Sequence, residues 1–503
     1  MGMFDTRAAG LLLHPTSLPG PHGIGDLGEA AHRFVDFLSA AGMRVWQTLP
    51  LGPTGYADSP YASFSSYAGN PLLISLQNLA AAGLLSAGDL EPAPGFPEDR
   101  VDFAEVIGWK LPLLAKAADR FLAGARGERR AAYERFSADS AGWLEEYALF
   151  MAVKRRYRGA WNAAWDRDIA LREPAALETW RAAERPEIER QKAIQHFFFE
   201  QWAALRAHAA GRGVRLFGDL PVFVAPDSAD VWADRRLFLL DRDGRPTVVS
   251  GVPPDYFSAT GQLWGNPLYD WGELQREDFR WWVGRLHSAF ALFDLVRIDH
   301  FRGFEACWQV PAGEPTAEHG RWVQSPGEAL FAALRRALGE PPIVAEDLGI
   351  ITPEVRTLKE RWGLPGMNIL QFAFDSAEAG GLTAENRFLP HNHLPHAVVY
   401  TGTHDNDTTR GWYAARTAEE RKLVERYTGG SDPDVVRRFL RLAFASVCRL
   451  AVVPLQDALG LGSEARLNTP GTASGNWAWR FREGALSEEL ARGLRELAAL
   501  YGR

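Results

Sequence analysis

The feature that most constrains this chain is a set of eight short apolar segments, each breaking into polar, Gly or Pro residues at its C-terminal end. They cover residues 10–18, 44–51, 214–222, 292–301, 342–349, 366–372, 397–405 and 450–459. Helical periodicity separates most of them. Between residues 29 and 41, Phe34, Phe37, Leu38 and Ala41 fall on one stripe, and Gly42 follows as a stop. Ser325, with Glu328 three residues on and Gly339 beyond, predicts a second, capped helix. Strands alternating with helices predict a parallel α/β sheet. Eight such units predict a single (β/α)8 TIM barrel over residues 1–503, with an open doubly wound sheet as the alternative.

Two spacings are too long for simple crossovers. Residues 76–213, rich in Ala, Arg, Glu and Leu, predict a mostly helical subdomain inserted after the second strand, with helices over 109–127, 129–157 and 187–210. Residues 225–289, with a Gly/Pro/aromatic stretch at 251–271, predict a long loop region inserted after the third strand and lying over the barrel mouth.

Bulk properties narrow the function classes. A net charge of −8 and a pI near 5.9 disfavour a nucleic-acid partner. The two cysteines, Cys307 and Cys448, supply neither a disulfide framework nor a metal quartet, so a cytoplasmic location is expected. No apolar run reaches membrane-spanning length, and no membrane partner is expected. The chain is rich in tryptophan, with 18, and flat rings stack on the apolar faces of sugars and bases as readily as they fill a core.

Barrel enzymes carry their chemistry at the C-terminal ends of the strands. The polar residues there are His14, Gln47, Asp219, Arg297, Asp299, His300, Glu346, Gln371, His404, Asp405, Gln456 and Asp457. No serine or cysteine sits in a nucleophile elbow and no phosphate-binding Gly-rich loop ending in Lys is present, which leaves carboxylate chemistry or a metal site. Glycosidic cleavage needs one ionised and one protonated carboxyl. Asp299, on the same strand face as Arg297, suits the ionised role, although an ion pair that merely closes the strand end is the competing explanation. Glu346, at the end of the next segment against apolar neighbours, suits the proton donor. Adjacent barrel strands lie ~4.8 Å apart, compatible with the carboxyl separation of about 5–5.5 Å in retaining enzymes. Asp405 and His404 are placed to hydrogen-bond sugar hydroxyls. The metal alternative would draw on His404, Asp405, Asp407, His391 and His393, but their spacing matches no established ligand pattern. Gly23, Gly25 and Gly28 formally fit a dinucleotide fingerprint. Pro15 to Pro21 intervene after the first strand, however, and the second strand ends in no acidic residue.

The blocks His14-Pro-Thr-Ser-Leu-Pro19, Trp46 to Tyr61, Tyr67 to Pro71, Gly218-Asp-Leu-Pro221, Gly251 to Phe257, Trp264-Gly-Asn-Pro267, Arg297-Ile-Asp-His300, Ala345 to Gly349 and Gly402-Thr-His-Asp405 together resemble the 4-α-glucanotransferase family (amylomaltase, or disproportionating enzyme) of the α-amylase superfamily. They run in order along essentially the whole chain. The resemblance implies a (β/α)8 barrel without a C-terminal β-domain, and transfer of α-1,4-glucan segments between maltooligosaccharides with retention. It implies Asp299 as nucleophile, Glu346 as acid/base and Asp405 as third carboxylate. It also implies Tyr61, Asp219, Arg297 and His404 around the attacked glucose. Ser59, Asp255, Tyr256, Phe257, Gln262, Trp264, Asn266 and His300 are implied in the acceptor cleft. No metal or organic cofactor is required. Two departures are Ala57, where Gly is expected, and Tyr67, where Phe is usual. A retaining α-glucan hydrolase of the same superfamily is the alternative enzyme. A glucan-binding protein without catalysis and a dinucleotide oxidoreductase are alternatives of other classes.

Overall fold

The computed structural model describes residues 4–254, 258–376, 383–430 and 435–503. The strands, in chain order, are β1 (Ala8–Leu12), β2 (Val45–Gln47), β3 (Arg215–Pro221), β4 (Val248–Val252), β5 (Gln262–Pro267), β6 (Leu295–Asp299), β7 (Ala306–Pro311), β8 (Arg321–Gln324), β9 (Ile343–Ala345), β10 (Gly366–Ile369), β11 (Ala397–Tyr400) and β12 (Leu450–Pro454). Eight of them form one parallel sheet in the order β10-β11-β12-β1-β2-β3-β6-β9. Its two ends meet where the Ala345 amide at the end of β9 donates to the Pro365 carbonyl just before β10, at 2.9 Å, so the sheet is nearly closed as a barrel. These eight strands fall within the eight segments expected, except that β1 begins two residues earlier.

Residue parity sorts each strand into two environments. Leu12, Val45, Phe217, Leu295, Val344, Met367, Tyr400 and Val452 pack together in the barrel interior. Their alternates Leu11, Trp46, Leu216, Val296, Ala345, Val399 and Ala451 pack outward against the helical layer. Gly10 shares the interior parity, and a Cβ there would lie 2.4 Å from the Val45 carbonyl oxygen, so close strand approach requires glycine.

All regular elements between β3 and the 3-10 turns after β2 are helical. The expected helix over 129–157 is two, Gly127–Asp139 and Ala141–Tyr157, because Ser140 between them takes up non-helical angles (φ −98°, ψ 2°). The long helix Arg185–Gly211 pins the segment that follows β2. The Gln195 side-chain amide exchanges two hydrogen bonds with the Gly69 backbone (2.8 and 2.9 Å), and Gln201 does the same with Ser75 (2.7 and 3.2 Å). Buried Lys110 adds a bond to the Leu72 carbonyl at 2.7 Å. Buried backbone groups that would otherwise stay unpaired are thereby satisfied, and a glycine-rich loop is fixed in place.

Residues 225–289 are more regular than a loop. They carry β4, β5 and helices Ala229–Ala233, Trp271–Arg276 and Arg280–Leu292, the last running to residue 292. β4 and β5 join β7 and β8 in a four-stranded antiparallel sheet ordered β5-β4-β7-β8. Short strands interrupted by Gly251 and paired far along the chain give little local periodicity. Ser325 does not cap the following helix, which starts at Gly327 with Pro326 at its N-cap and no side-chain cap bond. At Ala57, φ is +54°, in the left-handed region that favours glycine, so the departure from the family pattern stands where it costs backbone strain.

Candidate active site

Interior parity carries the polar residues to one end of the barrel. On β6, Leu295 faces the axis, so Arg297 and Asp299 do too, while Val296 and Ile298 pack outward. The same step from Phe217 reaches Asp219, and from Val344 it reaches Glu346. The register aligns Asp219 with Arg297 and Ile298 with Ala345, which brings Asp299 and Glu346 to neighbouring strand ends.

Arg297 is the hub. Its Nη1 donates to both oxygens of Asp219, at 2.9 and 2.7 Å, and its Nη2 donates to Asp299 Oδ1 at 2.8 Å. Burial works against the charge on Arg297, but Asp219 and Asp299 more than offset it and hold the guanidinium well above its usual range. The Asp219 side chain has no exposure, whereas that of Asp299 is 31% exposed, so only Asp299 of this pair is open to a ligand. Tyr61 donates to Asp219 Oδ2 at 2.7 Å. Burial and Asp219 raise the phenol well above its usual value, so it remains a donor.

Glu346 is held differently. The His300 and Leu348 amides donate to its two oxygens, at 2.6 and 3.1 Å. Burial, opposed by Arg297 and these amides and reinforced by Asp299, pushes its carboxyl up to about 7. His300 itself turns the chain out of β6 with φ +50°. Two neighbouring carboxyls thus sit in different settings, one ion-paired and one able to carry a proton near neutrality.

In the loop that leaves β11, Asp405 Oδ1 lies 3.3 Å from His404 Nε2 and accepts from Asn468 Nδ2 at 2.6 Å. The His404 ring stacks on Tyr61, with centroids 5.2 Å apart and 18° between planes, and Trp477 packs beside both. On the β5 side, Trp264 meets the His300 ring edge to face at 4.7 Å, and Gln262 Oε1 accepts from the Trp264 indole at 3.2 Å. Burial lowers His300 to about 4, so its ring is neutral near pH 7. Ser59 Oγ accepts from the Tyr61 amide at 3.2 Å. The Asn266 amide is engaged below, with the Val224 carbonyl and Ser250. Asp255, Tyr256 and Phe257 lie outside the described residues.

Three other strand-end residues, Asp457, Gln47 and Gln371, are bonded to partners outside the carboxylate cluster. Asp457 lies on the short helix Leu455–Ala458 that follows β12 and accepts from Thr401 and twice from Thr409, a buried bracket for the helix that starts at Thr409. Gln47 accepts from the Tyr400 hydroxyl at 3.0 Å, and Gln371 donates to the Asp407 carbonyl at 2.8 Å. Of the histidines in the metal alternative, His393 is buried between Ser446 and the Phe388 carbonyl, and His391 bonds Tyr427. Among the described residues no group of three or more His, Cys, Asp or Glu is arranged to hold a metal ion. Gly25 and Gly28 are also accounted for locally. A Cβ at Gly25 would lie 2.0 Å from the Pro15 carbonyl oxygen, and Gly28 is the N-cap of helix Glu29–Ala40.

Arg466, Asn468 and Trp477 also belong to this cluster, although no motif in the sequence marks them. Arg466 donates to the Asp405 carbonyl at 2.8 Å and to the Asn468 carbonyl at 2.7 Å, clamping the residue that holds Asp405. They sit on an irregular segment after β12 that offers no periodicity.

A nearly closed parallel barrel with three carboxyls gathered at its C-terminal end belongs to the architecture of barrel enzymes. The family model described as 4-α-glucanotransferase matches residues 13–487. The 4-α-glucanotransferase of Thermus thermophilus is 54% identical over 501 residues, covering 98% of each chain, and that of Synechocystis sp. is 48% identical over 505 residues, covering 100% of this chain and 99% of the relative. The solved amylomaltase from Streptococcus agalactiae in complex with acarbose superposes with a TM-score of 0.95 at 37% identity, covering 99% of both chains. The chain belongs to the 4-α-glucanotransferase family.

Proposed function

We propose that this protein transfers α-1,4-glucan segments between maltooligosaccharides by a retaining double displacement. The observation that carries the reading is the contrast between Asp299, ion-paired to Arg297 yet open to a ligand, and Glu346, whose carboxyl holds its proton up to about pH 7. In the first step Glu346 gives its proton to the glycosidic oxygen. The C1–O bond to the leaving fragment breaks as an Asp299 oxygen bonds C1, leaving a covalent glucosyl-enzyme. In the second, Glu346 takes the proton of an acceptor 4-hydroxyl, whose oxygen displaces Asp299 from C1.

In this scheme Asp405, with His404 and Tyr61, holds the hydroxyls of the reacting sugar, and buried Asp219 keeps Arg297 and Tyr61 oriented. Ser59, Gln262, Trp264, Asn266 and His300, together with Asp255, Tyr256 and Phe257, serve the acceptor side. An aromatic wall there favours a stacked sugar over water as acceptor. The scheme requires no cofactor. The same reading takes residues 76–213 as an inserted helical unit that fixes the Tyr61 loop, and residues 225–289 as the region flanking the cleft. A cytoplasmic location fits Cys307 and Cys448, both free and buried. No helix among the described residues is long and apolar enough to cross a membrane.

Incubation with maltotriose tests the reaction. Transfer yields glucose together with products longer than maltotriose, whereas the alternative hydrolase yields only shorter ones.

A further inference from the structure

Away from the barrel mouth, a cavity of about 570 Å³ opens between helices Gly127–Asp139 and Ala141–Tyr157 on one side and helices Ala229–Ala233 and Arg280–Leu292 on the other. Asp139, Arg236, Arg280 and His287 form an exposed rim, and Asp230 and Trp281 lie buried below. We propose that this cavity is a second carbohydrate site, taking a short stretch of neutral α-glucan. The choice of glucan over other sugars rests on the reading of the barrel site.

The lining chemistry selects the ligand class. Tyr67 and Trp143 form an offset stack in the cavity wall, with centroids 6.3 Å apart and 12° between planes, and Trp281 lies in the same wall. Such faces suit the C–H surface of a pyranose. Beside them Asp230 and Asp234, one helical turn apart, add carboxylates, and Asp230 spends Oδ2 on the Ser66 amide at 2.8 Å. A purely apolar ligand would offer nothing to the carboxylate oxygens that remain. An anion would meet five lining carboxylates, Asp139, Glu146, Asp230, Asp234 and Glu277, against three lining arginines, two of which are already committed: Arg172 pairs with Glu146 and Arg236 with Glu277, each at 2.6 Å. No metal-binding cluster is found among the described residues. A neutral polyol satisfies both rings and carboxylates, and the volume falls in the range of about 300–1,000 Å³ typical of small-ligand sites.

Tyr67 and Tyr61 stand on one short segment, and a smaller cavity of about 70 Å³ lined by Tyr61 and Asp219 shares Ser65, Tyr67 and Ser288 with the larger one. The two sites are therefore neighbours without sharing reacting groups.

Gly284 lies on the helix wall, where a Cβ would sit 3.5 Å from the Tyr67 hydroxyl, so Gly284→Leu fills the cavity without a backbone clash. Maltotriose is titrated calorimetrically into the Glu346→Gln protein, which does not turn it over, and into the same protein carrying Gly284→Leu. The expected result is two binding events, one of them weakened about tenfold or more by Gly284→Leu, with turnover by the Gly284→Leu enzyme unchanged. Asp234→Ala serves as a second variant should Gly284→Leu fail to fold, with the same loss expected. Binding unaffected by either variant, whether as one event or as two, would overturn the proposal. Absent turnover by the unmodified enzyme would count instead against the barrel-site reading, while the variant comparison still decides the cavity.

Discussion

Arg297 and Asp299, two residues apart on the interior face of β6, are joined by a hydrogen bond of 2.8 Å from Nη2 to Oδ1. The same guanidinium grips Asp219 through Nη1, so one planar group fixes two carboxylates at once. A lysine offers a single compact charge and cannot reproduce this fork. Arg297→Lys is therefore expected to lower kcat for maltotriose about 10²–10³-fold, the loss typical of removing one preorganised electrostatic contact. Steady-state kinetics checks this, with circular dichroism confirming the fold.

The proton on Glu346 sets the pH dependence. Its carboxyl is pushed up to about 7, so the acid form that protonates the leaving oxygen is present below that pH and lost above it. The free-enzyme profile of log kcat/KM is expected to fall with slope −1 above about pH 7. A profile flat to pH 9 would exclude Glu346 as the acid.

Asn468 donates to Asp405 Oδ1 at 2.6 Å, and Arg466 holds the Asp405 carbonyl. Hydrogen bonds to charged groups contribute about 1.5–3 kcal/mol, so Asn468→Ala is expected to lower kcat about 10–100-fold. A positioning role predicts a larger effect on kcat than on KM for maltotriose, because Asp405 would grip the sugar most tightly as it distorts. A change confined to thermal stability would contradict it.

The barrel strands were legible in the sequence because strands buried on both faces read as continuous apolar runs ending in polar residues. So were Asp299 and Glu346, since parity from Leu295 and Val344 carries them to the interior. Asp457 looks equivalent in sequence but falls on a short helix after β12, where strand alternation no longer applies, and its partners Thr401 and Thr409 are distant in sequence. The antiparallel sheet stayed hidden because β4 and β5 are short and pair with strands far along the chain. Asn468 and Trp477 stayed hidden because an irregular segment carries no periodicity, and its approach to Asp405 and Tyr61 is set by tertiary packing alone.

The central claim is a division of labour between Asp299 and Glu346, and an activated donor separates the two roles. Fluoride leaves α-maltosyl fluoride without needing a proton, so glucosyl-enzyme formation on this donor needs the nucleophile but not the acid. In a rapid-mixing experiment, Glu346→Gln is expected to release a burst of about one fluoride per enzyme molecule, and Asp299→Asn none. A burst from Asp299→Asn, or none from a folded Glu346→Gln protein, would contradict the account.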